Sequence, residues 1–452
     1  MNAISNLRST ERIMKHLHFV RLVIALGSVA MLLAGSLHGA NREAENPPAP
    51  IEVNSQRVHP TRILAKYAPG AKGREKAAAQ VAQGLAIHRE HRLVPGLVSL
   101  DVADRKAAAA LATAGPDEQK KQLLQRITAL RRSGLFEYVE PDYEIKIELL
   151  PDDEKVQDGS LWGLRNTGLN GGTPGVDIGA EQAWNLTTGS TNVVVAVIDT
   201  GISYTHQELA TQMWRNPGEI PDDGIDNDHN GIVDDVYGFN AIKGAGDPMD
   251  DHNHGTHVAG TIGAAANDGH PIVGVAWNVR LMACKAFDSD GIGYHSDIIE
   301  GIAYATTNGA QIINASWGGR TYSKAMYEAI AAARDHGVLF VAAAGNSGEN
   351  NDQFPHYPAN YALDNIISVA ALDRNDNLAG FSDYGLTTVH LGAPGVAIYS
   401  STAESDTNCQ VFSGTSMATP HVCGVAALIL SQFPGADLEE LRERILRGTV
   451  PI

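Results

Sequence analysis

Aromatic residues and cysteines are scarce in this 452-residue chain. Only 6% of the residues are Phe, Trp or Tyr, whereas 46 are glycine and 43% are hydrophobic. Such a composition suits helices packed closely on a sheet better than an aromatic-rich β-sandwich. The three cysteines, Cys284, Cys409 and Cys423, are an odd number and predict no disulfide framework, although one disulfide with one free thiol stays open.

The chain also lacks the basic excess of a nucleic-acid-binding protein, since its net charge is -18. The charge is unevenly distributed. Residues 1–150 contain 21 Lys and Arg against 15 Asp and Glu, and the remaining residues contain 13 against 37. Regions of opposite charge can attract each other, and clustered carboxylates can bind cations. The alternative is that the acidity only keeps a secreted protein soluble.

The apolar run at residues 22–37 is 16 residues long. A membrane-spanning helix needs roughly 20 such residues. Arg8, Arg12, Lys15 and Arg21 precede the run, and a basic segment followed by an apolar one is typical of a secretory signal peptide. We therefore predict a signal peptide at residues 1–40, secretion to the extracellular space or the periplasm, and no stable membrane span. An uncleaved N-terminal anchor stays open.

A proline-rich segment at residues 46–50 separates this region from a small α+β domain. We predict a linker at residues 41–60, the small domain at 61–150, a second linker with the start of the mature chain at 151–174, and a large domain at 175–452. In the small domain the sequence predicts strands at 62–67, 97–102 and 136–147, and helices at 75–85 and 120–133.

From about residue 175 onward, apolar strand-like segments alternate with helical ones. The predicted strands are 193–198, 280–287, 311–315, 338–344, 366–371 and 389–393, and the predicted helices are 255–266, 297–308, 324–336 and 416–433. Strands without polar alternation, separated by helices, indicate a parallel sheet with helices on both faces. The predicted fold class is therefore α/β, with its chemistry at the carboxyl ends of the strands.

Three polar residues in separate motifs are candidates for one catalytic group. Asp199 ends an apolar strand, His254 precedes a Gly- and Ala-rich helix, and Ser416 begins another helix, whose free N–H groups favour an oxyanion. Taken alone, Ser416 fits an ordinary helix cap better. With a carboxylate and an imidazole on the same sheet edge, it becomes a candidate nucleophile. Asn346, after another strand, offers a side-chain amide to developing negative charge.

These residues lie in motifs that resemble those of the subtilisin-like serine peptidases, the subtilase family. The matching segments are Asp199–Gly201, His254–Gly260 and Gly414–Val422, in the chain order Asp, His, Ser. The resemblance implies that Asp199, His254 and Ser416 form the catalytic triad and that Asn346 contributes to the oxyanion hole. It also implies that the small domain at 61–150 is an inhibitory propeptide, with cleavage near residues 148–158.

Two further segments resemble the walls of the family's substrate pocket. Their residues are Ser316, Trp317 and Gly318 on one side and Ala344 and Gly345 on the other. Small residues and open backbone at strand ends can also pair with an extended peptide. Close packing of the strand ends alone is the alternative. Pro355 and His356 stand where family members often have a pocket glycine, so the depth of the pocket is open.

An acidic loop at residues 222–235 contains the pattern D-x-D-x-N-G, the first half of an EF-hand calcium loop. We predict a structural Ca²⁺ with Asp226, Asp228, Asn230 and Asp234 as ligands. The loop is not a full EF-hand, because Tyr237 stands where the closing glutamate is expected. A solvated acidic loop is the alternative. Glu208 with Asn267 and Asp268 suggests a second site by resemblance to the family.

Together these features predict a secreted serine endopeptidase that hydrolyses peptide bonds through an acyl-enzyme and is made as a zymogen. Its expected partners are protein or peptide substrates and its own propeptide as an intramolecular inhibitor, and no nucleic acid. One alternative is a catalytically inactive, calcium-binding interaction module with the same fold. Another is a serine esterase, whose G-x-S-x-G motif would need glycine in place of Ala418.

Overall fold

The computed structural model describes residues 18–19, 50–54, 56–143 and 150–451. Apart from residues 18–19, which form the short strand β1 (His18–Phe19), the predicted signal peptide lies outside the described residues. Two compact units are present, one of Val29–Ile147 and one of Met1–Ser28 with Glu148–Ile452. Within the described part of the chain, every helix is too short or too polar to cross a membrane.

The described residues of the unit Val29–Ile147 form an antiparallel sheet and three helices. Its strands are β2 (Ile51–Val53), β3 (Gln56–Tyr67), β4 (Leu85–Glu90), β5 (Leu97–Val102) and β6 (Phe136–Tyr143), and its helices are α1 (Gly73–Ala82), α2 (Arg105–Ala112) and α3 (Pro116–Arg132). The strand order is β2-β3-β5-β4, and β6 also pairs with β3. Leu123, Ile127 and Leu130 recur at helical spacing along α3 and bury themselves against the sheet.

The sequence pattern missed two strands of this sheet. Strand β2, like the first residues of β3, lies within the predicted linker at 41–60. The pattern also predicted a helix at 75–85, whereas α1 ends at Ala82 and Leu85 begins β4. Gly84 between them has a φ of 64°. This left-handed conformation turns the chain out of the helix, and glycine adopts it at little cost.

The larger unit contains the other elements. Its strands are β7 (Gly189–Asp199), β8 (Gly238–Asn240), β9 (Asn278–Lys285), β10 (Ile312–Ala315), β11 (Leu339–Ala343), β12 (Ile366–Leu372), β13 (Leu391–Pro394), β14 (Ile398–Ser401), β15 (Cys409–Phe412) and β16 (Val450–Pro451). Its helices are α4 (Glu154–Gln157), α5 (Ala180–Trp184), α6 (His254–Gly263), α7 (His295–Thr307), α8 (Lys324–Asp335), α9 (Thr415–Gln432) and α10 (Leu438–Arg447), with a short 3₁₀ turn at Leu169–Gly171.

One sheet of order β16-β1-β13-β12-β11-β10-β7-β9-β8 organises this unit. All neighbouring pairs from β1 to β8 in that order run parallel, whereas β16 is antiparallel to β1. Strands β14 and β15 form a separate antiparallel pair. The predicted α/β class, a parallel sheet covered by helices, is therefore confirmed.

Strand β7 shows why the sequence lacks polar alternation. Val195 and Val197 pack into the core layer that contains α6 and α9, and Ala196 and Ile198 pack into the layer that contains α7 and α8. All four side chains are fully buried. Because both faces of the strand are covered here, every position from 193 to 198 is apolar, and burying a side chain such as Ile198 stabilises the fold by about 1.5–3 kcal/mol.

The three cysteines are free thiols in this structure. Cys284 and Cys423 are buried, and Cys409 is partly exposed. Burial raises the pKa of both buried thiols, which keeps them protonated and unreactive. The disulfide left open by the sequence is therefore not formed.

Candidate active site

Three neighbouring parallel strands, β7, β10 and β11, end at the same edge of the sheet. Asp199 is the last residue of β7, Ser316 follows β10 directly, and Asn346 lies shortly after β11. The start of α9 reaches this edge through hydrogen bonds from Ser416 to Ser316 and from Thr415 to Asn346. Parallel pairing thus brings side chains from distant parts of the sequence to one place.

Asp199 and His254 are hydrogen-bonded directly. His254 Nδ1 lies 2.7 Å from Asp199 Oδ1, which also accepts from Thr200 N at 2.8 Å. Asp199 is buried, and its Oδ2 has no partner among the described residues. A carboxylate only accepts here, so the proton of the neutral imidazole lies on Nδ1 and Nε2 is left free to accept one.

The pKa of His254 lies above its ordinary value. Burial disfavours the charged imidazolium, but the charge of Asp199 and the hydrogen bond to it outweigh burial, with a further contribution from Asp250. The side chain is still 25% exposed, so a substrate can approach it. A raised pKa makes the imidazole a stronger proton acceptor, as general-base catalysis requires.

Asp250 was not singled out by the sequence, yet it fixes both segments of this pair. Its Oδ1 accepts from Thr200 Oγ1 at 2.8 Å, and its Oδ2 accepts from Thr256 Oγ1 at 2.6 Å and Thr256 N at 3.0 Å. Thr200 follows Asp199, and Thr256 lies in the first turn of α6, which begins at His254. One buried carboxylate therefore ties the end of β7 to the start of α6. The only sequence signal was its position four residues before His254.

Ser416, the second residue of α9, is paired reciprocally with Ser316. Ser416 Oγ donates to Ser316 O at 2.8 Å, and Ser316 Oγ donates to Ser416 O at 2.9 Å. The second bond exists because Pro420 has no N–H, so the Ser416 carbonyl lacks its usual helical donor. Among the described residues, the Ser416 hydroxyl thus bonds to the Ser316 carbonyl and not to His254. A rotation of the Ser416 side chain is needed to bring its hydroxyl to the His254 ring.

The side-chain amide of Asn346 is held through its oxygen. Oδ1 accepts from Thr415 N at 2.8 Å and from Thr415 Oγ1 at 2.9 Å, and Thr415 is fully buried. Nδ2 lies at the other side of the amide group. The space beside Gly414 lies near this nitrogen and near Ser416 N, since a Cβ atom at Gly414 would be 3.6 Å from each of them. Two N–H donors therefore border the same space, an arrangement suited to binding an oxyanion.

The predicted substrate-binding residues follow two adjacent strands. Ser316, Trp317 and Gly318 follow β10, and Ala344 and Gly345 follow β11. Trp317 Nε1 donates to Ile198 O at 2.8 Å, which holds this segment against the end of β7. Gly345 has a φ of 117°, and a side chain there would overlap the Asp383 carboxylate. The two segments lie side by side, and their role in binding substrate stays a prediction.

The acidic loop brings together a different set of carboxylates from the predicted one. Oxygen atoms of Glu219, Asp228 and Asp235 lie within 4.8 Å of one another. Of the predicted ligands, Asp228 belongs to this group and Asn230 Nδ2 donates to it. Asp226 and Asp234 instead accept from backbone N–H groups of the loop, those of Gly231 and Gly224.

The three clustered carboxylates fit a calcium ion. Ca²⁺–oxygen distances of about 2.3–2.6 Å place opposite ligands roughly 5 Å apart. Asp235 is fully buried and accepts hydrogen bonds from the neutral donors Asn216, Asn230 and Tyr304. Burial and the bond to Asp235 raise the pKa of the Tyr304 hydroxyl. Three carboxylates so close together repel one another, and a cation would remove that cost.

A second pair of buried carboxylates lies near Asn267. Asp153 Oδ2 accepts from Asn267 N at 3.0 Å, and Glu208 Oε1 accepts from Ile272 N at 3.2 Å. Their other oxygens, Asp153 Oδ1 and Glu208 Oε2, are buried and have no hydrogen-bond partner within the described parts of the chain. Burial raises the pKa of Glu208 to about 8 and also raises that of Asp153. Unpaired buried carboxylate oxygens of this kind suit a cation.

Comparison with known proteins shows which sequences this chain is similar to. The sequence profile described as the subtilase family matches residues 190–449, more than half of the chain. A thermophilic serine proteinase of Bacillus sp. (strain AK1) is 38% identical over 319 residues, which are 71% of this chain and 69% of that protein. Subtilisin DY of Bacillus licheniformis is 41% identical over 255 residues, 56% of this chain and 82% of that protein.

Among solved structures, the crystal structure of a cold-adapted subtilisin-like serine proteinase aligns with a TM-score of 0.46 at 31% identity, over 56% of this chain and 81% of that one. The family assignment depends on the sequence matches. The profile spans the segments from β7 to α10, which include every strand end described above. The chain therefore belongs to the subtilase family and is a subtilisin-like serine endopeptidase.

Proposed function

We propose that Asp199, His254 and Ser416 form the catalytic triad and that Asn346 and the Ser416 backbone N–H form the oxyanion hole. The observation that carries this proposal is the 2.7 Å bond between Asp199 and His254, at the same sheet edge as the start of α9. The alternatives of an inactive binding module and of an esterase lack a comparable observation in their favour.

In the first half of the reaction, the Ser416 hydroxyl leaves the Ser316 carbonyl and turns to His254 Nε2. Nε2 takes the hydroxyl proton as Oγ attacks the carbonyl carbon of the peptide. The carbonyl oxygen becomes negative between Asn346 Nδ2 and Ser416 N. Asp199 holds the imidazolium in place, and its negative charge stabilises the positive ring.

In the second half, the imidazolium of His254 gives its proton to the leaving amine, and the C–N bond breaks. An acyl-enzyme on Ser416 Oγ is left. Water then enters, His254 Nε2 takes one of its protons, and the hydroxide attacks the ester carbonyl. The acid product leaves as Ser416 Oγ recovers a proton from His254. The same oxyanion donors serve both halves.

The enzyme is made as a secreted zymogen in this proposal. Residues 1–40 act as a signal peptide, and residues 61–150 act as an intramolecular inhibitor that is removed by cleavage near residues 148–158. Subtilases are commonly secreted. The compact unit Val29–Ile147, with its own sheet and buried core, is the part of the chain available for the inhibitory role.

Calcium is proposed as a structural ion at two places. Glu219, Asp228 and Asp235 would hold one ion in the acidic loop, and Asp153 and Glu208 would contribute to a second near Asn267. Bound calcium would neutralise these carboxylates and stabilise the loops that carry them. Neither place contains a residue of the proposed catalytic group, so calcium has no chemical role in catalysis.

The test compares wild type with Ser416→Ala and with Ser431→Ala, a control on the same helix whose hydroxyl donates to the helix carbonyl of Ala427. Wild type and Ser431→Ala should release peptides from casein, and Ser416→Ala should not. A fluorophosphonate should label wild type and Ser431→Ala but not Ser416→Ala. Equal peptide release by all three would refute the serine mechanism.

Maturation is tested on the same proteins by mass spectrometry of their N-termini. Wild type should begin near residues 148–158, whereas Ser416→Ala should keep residues 61–150, since the proposed cleavage is carried out by the enzyme's own triad. Loss of the small unit from purified Ser416→Ala would show that another protease removes it.

A further inference from the structure

The space between the two predicted pocket segments contains the imidazole of His356. The ring lies against two glycines, one in each segment. A Cβ atom at Gly318 would overlap His356 Nε2, and a Cβ atom at Gly345 would lie 3.0 Å from His356 Nδ1. The two ring nitrogens therefore face opposite segments, and the ring spans the gap between them.

The backbone beside His356 is fixed to the first segment. Tyr357 N donates to Gly319 O at 2.7 Å, and Gly319 N donates to Tyr357 O at 2.8 Å. His356 N donates to Asn360 Oδ1 at 3.0 Å. Because three hydrogen bonds hold the neighbouring chain, moving the ring out of the gap requires a side-chain rotation or the loss of these bonds.

The surroundings of the ring favour its neutral form. Burial lowers the pKa of His356, an effect opposed by Asp383 and assisted by Arg320. Asp383 is fully buried, and its Oδ1 accepts hydrogen bonds from the backbone N–H groups of Ser347 and Glu349. Arg320 Nη2 lies 3.5 Å from the other carboxylate oxygen, Asp383 Oδ2. His356 Nδ1 is buried without a partner among the described residues. The ring therefore contributes volume and not charge.

The P1 residue of a substrate is the one whose carbonyl is attacked. We infer that His356 closes the base of the pocket for the P1 side chain and makes this enzyme prefer a small, uncharged one, such as that of alanine. This inference depends on the proposed function. A phenylalanine or leucine side chain at P1 would occupy the volume of the imidazole and has to displace it. The pocket discriminates through this steric conflict, in addition to any attraction for small residues.

The experiment uses the full chain, expressed and matured, with peptide p-nitroanilides that differ only in having alanine or phenylalanine at P1. Wild type should have the higher kcat/KM for alanine. His356→Gly should raise the phenylalanine-to-alanine ratio of kcat/KM by about tenfold or more, the range that pocket volume supplies. His336→Gly, an exposed histidine at the end of α8, should leave the ratio unchanged.

Two results would overturn the inference. One is a wild-type preference for phenylalanine, which needs no variant and so holds even if His356→Gly does not fold. The other is a folded His356→Gly enzyme with an unchanged ratio. Both results are measured on hydrolysis that the Ser416→Ala substitution should abolish. Turnover that survives Ser416→Ala would refute the proposed function instead.

Discussion

Asn346 gives the most direct test of the proposed oxyanion hole, because its two side-chain atoms have different tasks. Nδ2 is the proposed donor to the oxyanion, and Oδ1 accepts two hydrogen bonds from Thr415. Loss of one oxyanion donor costs about 3 kcal/mol, a value known from subtilisin itself. At about 1.4 kcal/mol per factor of ten, Asn346→Ala should lower kcat about 150-fold. KM should change little, because the donor acts in the transition state.

Asn346→Asp separates this effect from stability. Aspartate keeps an oxygen for the buried Thr415 N–H and hydroxyl, but it has no N–H for the oxyanion. Asn346→Ala leaves those two Thr415 donors unpaired, at a cost of about 1–3 kcal/mol each if buried. We expect a lower melting temperature for Asn346→Ala, a near-normal one for Asn346→Asp, and slow turnover in both.

The assay is peptide p-nitroanilide hydrolysis, with thermal unfolding monitored by circular dichroism on the same samples. Asn278→Ala, at the start of β9, is the matched control, since the asparagine side chain is exposed and donates to the Thr188 hydroxyl. A folded Asn346→Ala enzyme with kcat within about threefold of wild type would refute the reasoning, because an effect that small is well under 1 kcal/mol.

Two further predictions concern the triad and the cations. Because Asp199 raises the pKa of His254 and the reaction needs neutral His254, activity should fall as the pH drops through that pKa. Asp199→Asn should move this acid limb of kcat/KM to lower pH and slow turnover by about 10⁴-fold; an unmoved limb would mean that another group titrates. Calcium at about 100 times its Kd should raise the melting temperature over that in EDTA by roughly 5 °C or more. Asp235→Asn should reduce this rise, and no difference between calcium and EDTA would exclude a structural ion.

The sequence predicted most of the larger unit because its signals are local. Residues 193–198 of β7 are all apolar since both faces of the strand are covered there, and Asp199 follows them directly in the chain. A residue at a strand end is placed by the strand itself, so parallel pairing was enough to predict which side chains share an edge. The short strand β4 was missed because its exposed residues do not alternate with buried ones.

The carboxylates that cluster in the acidic loop depended on tertiary structure. The D-x-D-x-N-G pattern pointed to Asp226 and Asp234, but the carboxylates that converge with Asp228 are those of Glu219 and Asp235. A loop's path is set by contacts outside the loop, here including Asn216 and Tyr304, and residue spacing alone does not encode such contacts.

The sequence by itself determined the fold class and the residue types of the proposed triad, through apolar periodicity and short motifs. Only the tertiary structure decided that Ser416 rests on the Ser316 carbonyl, that Asp250 ties β7 to α6, and that His356 fills the gap between Gly318 and Gly345. The physical reason is the distance along the chain over which each signal acts. Periodicity and motifs depend on neighbours within a few residues, whereas these three contacts join side chains to segments that only folding brings together.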